Sequence, residues 1–268
     1  MDGQTQGALK VRSRLSPTFG RRRRKDFVVG ILLQYGRATM ETTIFSWLGR
    51  EFVEIVGEAR AGMPVGASTE ELFQRFADTL SPLGLSLDNT ARIRVFGRDK
   101  QARSEATAAR SKILSGNRRA ASSSFISQVW FDSTAQVGLE LLAMRPLNAA
   151  AERKPVDFEP ARNYLCYLRY DSVLFYSGYT STADTLGDQL TEILGAITGA
   201  RSISGALTQD FRKTGRLTVF LQRNQKLSVV KDLLAKETWV DMDQVQFVFV
   251  DGFAGEKYLL EIEATAIS

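Results

Sequence analysis

Two short stretches decide the fold of this chain: "REFVEIVGEA", residues 50–59, and "SVLFYSGYT", residues 172–180. Each is an apolar, β-rich run that reaches a glycine, Gly57 in the first and Gly178 in the second. Each also follows another strand-like run, "TTIFSWLGR" before the first and "YLCYLRYDS" before the second. Runs of β-branched and aromatic residues joined by short turns are typical of β-hairpins. The two stretches therefore predict two hairpins of one design.

The same elements follow each hairpin in the same order. Apolar residues at helical spacing come first, and then the strand-like runs "RIRVFG" (92–97) and "RLTVFL" (216–221). A second helical segment and two more strands close each copy, and the last strands read "VGLELLA" (137–143) and "LEIEATA" (260–266). Elements that recur in one order at nearly equal intervals indicate an internal repeat.

The repeat predicts an α+β chain of two tandem β-β-α-β-α-β-β domains, with both helices on one face of each sheet. The other face of each sheet also carries apolar side chains, such as Phe45 and Phe175, so we expect another copy or another chain to cover it. Between the copies, prolines and weak periodicity indicate a linker. The predicted division is a basic arm at 1–26, a first domain at 27–145, a linker at 146–161 and a second domain at 162–268.

Two absences in the composition exclude several kinds of site. The 268 residues include no histidine, and Cys166 is the only cysteine. A zinc site of cysteine and histidine cannot form, nor can a nucleophile paired with histidine, nor an intrachain disulfide. We therefore expect a protein without a metal or other cofactor, in which glutamate, aspartate, lysine, tyrosine or water moves protons.

The positive charge is concentrated at the start of the chain. The net charge is +5, but residues 1–25 hold eight basic residues and one acidic residue, so the remainder is close to neutral. Such an arm can make a weak contact with nucleic acid through counterion release, but no aromatic residue interrupts "RRRRK" to stack on bases. We favour a solvated arm, or one that packs on a neighbouring subunit.

The hydropathy pattern gives no sign of a membrane segment. No apolar run reaches the roughly 20 residues that cross a bilayer, and no signal-like stretch precedes the first strand. We therefore expect a cytoplasmic protein that makes no membrane contact.

The second copy resembles the RidA family, also called YjgF/YER057c/UK114. The resemblance rests on "LFYSG" (174–178), Gln189, "KTGRLTVFL" (213–221) and "LLEIEATA" (259–266). The first copy is similar through "FVEIVGEA" (52–59), "LGLSLDNTARIRVFGRD" (83–99) and "LELLA" (139–143). Together the resemblance covers about residues 40–266.

The resemblance implies a chorismate-mutase-like α+β fold and a homo-oligomer, with a homotrimer favoured. In such trimers the sheets form a central barrel, and small-molecule substrates bind in clefts between neighbouring domains. Family members hydrolyse reactive enamines and imines to a ketone and ammonia. An arginine holds the substrate carboxylate in these proteins, and a glutamate positions water or relays a proton, without a metal.

Carried onto this chain, the resemblance places the catalytic carboxylate at Glu261 and substrate-binding groups at Tyr164, Ser177 and Gly178. Strand alternation puts Glu261 and Glu263 on one face of the last strand. A carboxylate on a partly covered face has a raised pKa, as a general acid or base at neutral pH requires.

The family's arginine has no counterpart at its expected place. In the second copy that place lies in "WVDMDQVQF" (239–247), which contains no lysine or arginine. The first copy also lacks the other pocket groups, because its matching positions hold Thr43, Val56 and Gly138, so we expect it to be mainly architectural. Candidate arginines that could replace the missing one are Arg92, Arg94, Arg119, Arg169 and Arg216.

Three functions remain open at this point. The preferred one is a cofactor-free hydrolase or deaminase that acts on an imine, an enamine or a related C–N bond of a small molecule. The first alternative is a hydrolase of a carboxylated enol ether, similar to the chorismatases, which also resemble two fused copies. The second is a non-catalytic subunit that binds a metabolite or acts as a scaffold, which the missing arginine favours.

Overall fold

The computed structural model of the chain describes residues 29–35, 38–148, 150–204 and 215–267, so the predicted arm at 1–26 lies outside it. The strands of the first half are β1 (Val29–Tyr35), β2 (Ala38–Trp47), β3 (Arg50–Glu58), β4 (Thr90–Gly97), β5 (Ala121–Ile126) and β6 (Val137–Met144). They form one sheet in the order β1-β2-β3-β6-β4-β5. All neighbours are antiparallel except β4 and β5, which are parallel.

The second half repeats this topology. Its strands are β7 (Arg153–Asp157), β8 (Leu165–Tyr170), β9 (Val173–Tyr176), β10 (Arg216–Gln222), β11 (Val245–Val250) and β12 (Leu260–Ile267). The sheet order is β11-β10-β12-β9-β8-β7, and only β10 and β11 are parallel. Each strand thus has its counterpart in the first sheet, and the predicted duplication of an α+β unit is confirmed.

Each sheet has one strand more than the sequence predicted, because β1 and β7 precede the two hairpins. The strand β7 lies inside 146–161 and pairs with β8, so that stretch is not simply the linker that we expected. The sequence analysis did not predict this strand because it contains Pro155. A proline is tolerated there because β7 is the edge strand of its sheet, and an edge strand has one side without a partner.

Four α-helices lie in the described ranges: α1 (Val65–Leu80), α2 (Lys100–Ile113), α3 (Leu186–Ser204) and α4 (Leu227–Leu234). The helices α1 and α2 cover one face of the first sheet, where Phe73 and Ala106 pack against Ile93. The helices α3 and α4 cover one face of the second sheet in the same way. None of these helices is both long and apolar enough to cross a membrane.

The uncovered faces of the two sheets pack against each other. Phe52 and Phe175, both fully buried, meet edge to face with ring centroids 6.3 Å apart. At the other end of this interface Phe125 and Phe220 stack at 4.0 Å. Aromatic pairs of this kind add to the free energy of burying the rings themselves. The second apolar face of each sheet is therefore covered by the other copy within the same chain.

Candidate functional site

The edge strand β5 of the first sheet meets the second domain at Ser177 and Gly178. The N–H group of Gly178 donates to the carbonyl of Ser122 at 3.3 Å, and the N–H group of Ser122 donates to Ser177 Oγ at 3.1 Å. Ser177 is 0% exposed, so its hydroxyl joins the two domains and does not face solvent. This contact holds β5, and the helix α2 behind it, against the second domain.

The structure brings Gly178 and Glu261 into close contact beside this junction. Glu261 lies on β12 opposite Phe220 of β10 and is 7% exposed. A Cβ atom on Gly178 would be 1.8 Å from Glu261 Oε1, far inside any real contact. The glycine therefore provides the space that the carboxyl group occupies, and any side chain at this position must displace it.

Burial raises the pKa of Glu261 to about 8, and the charge of Glu263 contributes to the rise. Hydrogen bonding by Ser123 and the charges of Arg103 and Arg94 oppose it. Oε1 of Glu261 is buried and has no hydrogen-bond partner in the described part of the chain. At neutral pH the group is therefore mostly protonated, and it can give a proton to a ligand and take one back.

One cation whose charge acts on Glu261 is Arg103, which the sequence analysis missed. It comes from α2 of the first domain, and its charge interacts with that of Glu261. Arg103 Nη1 donates to Ser124 Oγ at 3.0 Å, whereas its buried Nε has no partner among the described residues. It forms no ion pair with them either, and burial lowers its pKa. Arg103 therefore has hydrogen-bonding capacity to spare, and its charge acts on that of Glu261.

A signal for Arg103 was present in the sequence. Along α2 the residues that turn inward include Ala102, Ala106 and Ala109, and Arg103 and Arg110 lie on that same face. An arginine on the buried face of a helix is uncommon, because long charged side chains are almost never fully buried without a partner. The sequence shows this pattern but not that β5 and α2 dock on the second copy.

Two of the predicted arginines also cross between the domains, but they are paired. Arg94 Nη2 lies 2.7 Å from Glu263 Oε2, and Arg94 Nη1 lies 3.0 Å from Glu140 Oε2. Arg92 donates to Thr265 Oγ1 at 2.8 Å and to the carbonyl of Ala264 at 2.7 Å. These side chains therefore join the two sheets and are not free to hold a substrate.

The remaining predicted residues lie elsewhere. Tyr164 and Arg119 line a cavity between the domains that Glu261 does not line, and Arg119 is also paired with Asp157 at 2.5 Å. Arg169 is exposed on β8. The guanidinium of Arg216 lies over the ring of Trp47, 4.3 Å from its centroid, in an opening between the two sheets.

A second buried carboxyl lines the opening that contains Arg216. Burial raises the pKa of Glu54 to about 8, and the charge of Glu140 adds to the rise, whereas that of Arg94 opposes it. The opening is lined by Glu54, Arg94 and Glu140, together with Arg92 and Arg216. Within the described ranges, no group of three or more histidine, cysteine, aspartate or glutamate side chains is arranged to hold a metal ion.

The first copy has no glutamate at its own matching position. Gly138 stands where the second copy has Glu261, and a Cβ atom there would be 1.8 Å from Cζ3 of Trp130. The indole ring stacks on Phe96 with centroids 4.8 Å apart, and its Nε1 lies 3.3 Å from Glu140 Oε1. An aromatic side chain thus fills the space that a carboxyl occupies in the second copy.

Comparison with known proteins gives the fold and not the activity. No protein-family model matches the sequence, and no curated protein matches it. Among solved structures, a chorismatase matches with a TM-score of 0.60 at 14% sequence identity, over 84% of this chain and 77% of its own.

Shorter proteins match part of the chain. A member of the YjgF/YER057c/UK114 family from Mycobacterium tuberculosis matches 44% of this chain and 100% of its own at 24% identity, with a TM-score of 0.37. The Rid family protein YyfA from Yersinia pestis matches 44% of this chain and 100% of its own at 18% identity, with a TM-score of 0.38. The repeated sheet topology and the chorismatase match together show that the chain consists of two tandem RidA-like, chorismate-mutase-like domains.

Proposed function

We propose that this chain is a cofactor-free hydrolase or deaminase that acts on an imine, an enamine or a related C–N bond of a small molecule. The reaction takes place in the cleft between the domains. The observation that carries the proposal is the carboxyl of Glu261, which burial keeps largely protonated at neutral pH and which lies against Gly178 with Oε1 unpartnered. An acid whose pKa is close to the ambient pH can both give and accept a proton during turnover.

The steps for an imine follow from this carboxyl. Glu261 gives its proton to the imine nitrogen, which makes the C=N carbon electrophilic. Water adds to that carbon while the Glu261 carboxylate accepts a proton from it, and a carbinolamine forms. Glu261 then protonates the amine nitrogen and accepts the proton of the hydroxyl group as the C–N bond breaks. One imine and one water become a ketone and ammonia, and the carboxyl is regenerated.

Arg103 supplies the cation that the family's penultimate strand lacks here. In this proposal its guanidinium binds a carboxylate of the substrate, because charge-assisted hydrogen bonds to carboxylates are strong where water is excluded. Arg103 belongs to α2 of the other domain, so in this proposal the site needs both copies. The substrate class that fits is a small imine or enamine with a carboxylate.

The test is ammonia release from imines that an amino-acid oxidase generates in the assay. We expect the Glu261→Gln variant to lose roughly 10²- to 10⁴-fold in rate, since general acid–base catalysis is worth that much. Glu256→Gln is the matched control, because Glu256 is exposed and only pairs with Lys100. Equal rates in the wild type and the Glu261→Gln variant would remove Glu261 from the mechanism.

The same carboxyl also supports the hydrolysis of a carboxylated enol ether. Glu261 would protonate the terminal carbon of the double bond, and water would add to the resulting oxocarbenium ion while the Glu261 carboxylate accepts a proton from it. The hemiketal would then form a ketone as the C–O bond to the alcohol breaks, with Glu261 giving its proton to the leaving oxygen and accepting that of the hydroxyl group. The observation that supports this alternative is the fold match to a chorismatase. Offering the protein a carboxylated enol ether and an imine in parallel separates the two reactions. A non-catalytic binding subunit would bind the ligands and turn over neither.

We also propose that the chain forms a homo-oligomer, with a homotrimer favoured by the resemblance to the RidA family. Light scattering coupled to gel filtration measures this directly. A trimer has three times the 29.8 kDa mass of one chain, and a mass equal to one chain contradicts the proposal.

A further inference from the structure

Helix α2 carries a second inward-facing arginine, Arg110, two turns after Arg103. The Cα atoms of the two residues are roughly 10 Å apart, since an α-helix rises 1.5 Å per residue. Arg110 is 8% exposed, and its Nη2 donates to Ser111 Oγ at 3.0 Å. Its Nε is buried and has no hydrogen-bond partner, and in the described part of the chain the guanidinium forms no ion pair.

Arg110 is thus a buried cation without a counter-charge. Burial, together with the charge of nearby Arg119, lowers its pKa to about 10. Leaving a buried charge uncompensated costs several kcal/mol, because the protein does not replace the water that the ion has lost. An anion from solution that binds beside Arg110 offsets this cost.

A cavity of about 120 Å³ lies beside Arg110, at the boundary of the two domains. It has room for about four water molecules at roughly 30 Å³ each, which suits a small anionic group. The residues around it are basic, polar or apolar, and none is acidic; those used below are Arg110, Arg119 and Tyr164.

Tyr164 adds a hydrogen-bond donor from the second domain. Its hydroxyl oxygen accepts from Arg162 Nη1 at 3.0 Å, so the hydroxyl proton can be directed to a ligand. Arg119 is held at the cavity by its two hydrogen bonds to Asp157, at 3.1 and 2.5 Å. Hydrogen-bond donors from both domains therefore line the cavity, and no carboxylate lines it to balance the charge of Arg110.

We propose that this cavity is an oxyanion-binding site, in which Arg110 and Tyr164 hold a carboxylate or a phosphate group. A guanidinium fork and a hydroxyl are suited to both anions. Neither Glu261 nor Gly178 lines this cavity, and binding there needs no turnover.

The experiment measures the thermal unfolding midpoint of the protein against added inorganic phosphate and, separately, acetate, with chloride keeping the ionic strength constant. We expect a saturable rise with at least one of the two anions, since a ligand that binds only the folded state stabilises it. The anion that saturates at lower concentration identifies the group. The Arg110→Gln variant should bind at least tenfold more weakly.

Three further variants make the result specific. Lys112→Gln removes the same charge from the same helix at an exposed position outside the cavity, and it should bind as the wild type does. Glu261→Gln should also keep wild-type binding, which separates this site from the proposed reaction. Tyr164→Phe removes only a hydroxyl and should weaken binding several-fold, so it tests the site even if Arg110→Gln fails to fold.

A merely structural arginine predicts a different pattern. Without added anion, Arg110→Gln should be at least as stable as the wild type, because the substitution removes an uncompensated buried charge; a structural arginine would leave the variant clearly less stable. The proposal is overturned if neither anion gives a saturable rise or if Arg110→Gln binds as tightly as the wild type. It is also overturned if Lys112→Gln loses as much affinity as Arg110→Gln.

Discussion

At the scale of single residues, the candidate site depends on a glycine, a residue without a side chain. Gly178 has no Cβ atom, and the carboxyl of Glu261 occupies the space that one would need. In the first copy Gly138 replaces the glutamate, and the ring of Trp130 fills the corresponding space. One pair of positions therefore accommodates a buried carboxyl in one copy and an indole ring in the other.

Replacing Gly178 by alanine tests this close approach. The added methyl group must displace Glu261, and overpacking of this kind costs about 1–3 kcal/mol of unfolding free energy, measured by urea denaturation. Gly195→Ala is the control, since nothing lies within 4 Å of a Cβ atom there and α3 is helical at that point. The control should gain about 0.5–1 kcal/mol. Equal stability of the two variants would contradict the packing of Glu261 described above.

The sequence predicted some site residues through local pattern and missed others. Gly178 and Glu261 could be found because each belongs to a short motif on its own strand. Arg103 could not be placed, because its role depends on how α2 of one copy meets β12 of the other. Such contacts join residues more than 150 positions apart, and no local periodicity encodes them.

At the scale of secondary-structure elements, β4 and β12 are joined by charges between two apolar clusters. Arg94 on β4 pairs with Glu263 on β12 and with Glu140 on β6. Although burial alone raises the pKa of Glu263, Arg94 and Arg92 hold it below its usual value. The sequence shows these residues as alternate positions of strands, and only the packing of the two sheets explains why charged residues alternate there.

The Arg94→Met variant should therefore be strongly destabilised. It leaves the buried Glu140 without its ion-pair partner and Glu263 with Arg92 alone, and breaking a buried ion pair costs about 3–5 kcal/mol. In the control, Arg60→Met removes an exposed arginine that pairs with Glu71, which should cost at most about 1 kcal/mol. Urea unfolding of both variants measures the difference. A loss for Arg94→Met as small as that of the control would mean that this network does not hold the sheets together.

The sequence predicted the strands correctly where their patterns of apolar and β-branched residues were regular. The hairpins, the middle strands and the last strands were read from runs of alternating or β-branched residues. The edge strand β7 was missed because Pro155 and flanking charges resemble a linker. A short edge strand owes its pairing to the neighbouring strand β8 and not to its own sequence.

At the scale of the whole molecule, two copies of one fold share a single interface. The faces that the helices leave open are covered within the chain, and Glu261 is buried beside the junction of β5 with the second copy. Duplication thus supplies both the interior and the site, while each copy alone would expose a broad apolar face.

The interface also predicts how stability depends on pH. Glu54 and Glu261 both have a pKa of about 8 in the folded chain against 4.5 ordinarily, and the chain has no histidine to titrate in that window. Between about pH 4.5 and 8 the folded chain binds more protons than the unfolded chain, so the free energy of unfolding falls as pH rises. We expect a loss on the order of a few kcal/mol, measured by urea denaturation. The double variant Glu54→Gln, Glu261→Gln should remove most of this slope, and a slope that it leaves unchanged would assign the effect to other groups.

The most direct test of the account is the titration of the Glu261 carboxyl itself. Infrared difference spectra between the wild type and the Glu261→Gln variant isolate its carbonyl stretch, with Glu54 present in both samples. The account predicts a protonated carboxyl at pH 7 that ionises with a midpoint near 8. A carboxylate already ionised at pH 6 would show that this group is an ordinary solvated acid, and the proposed proton donor would be lost.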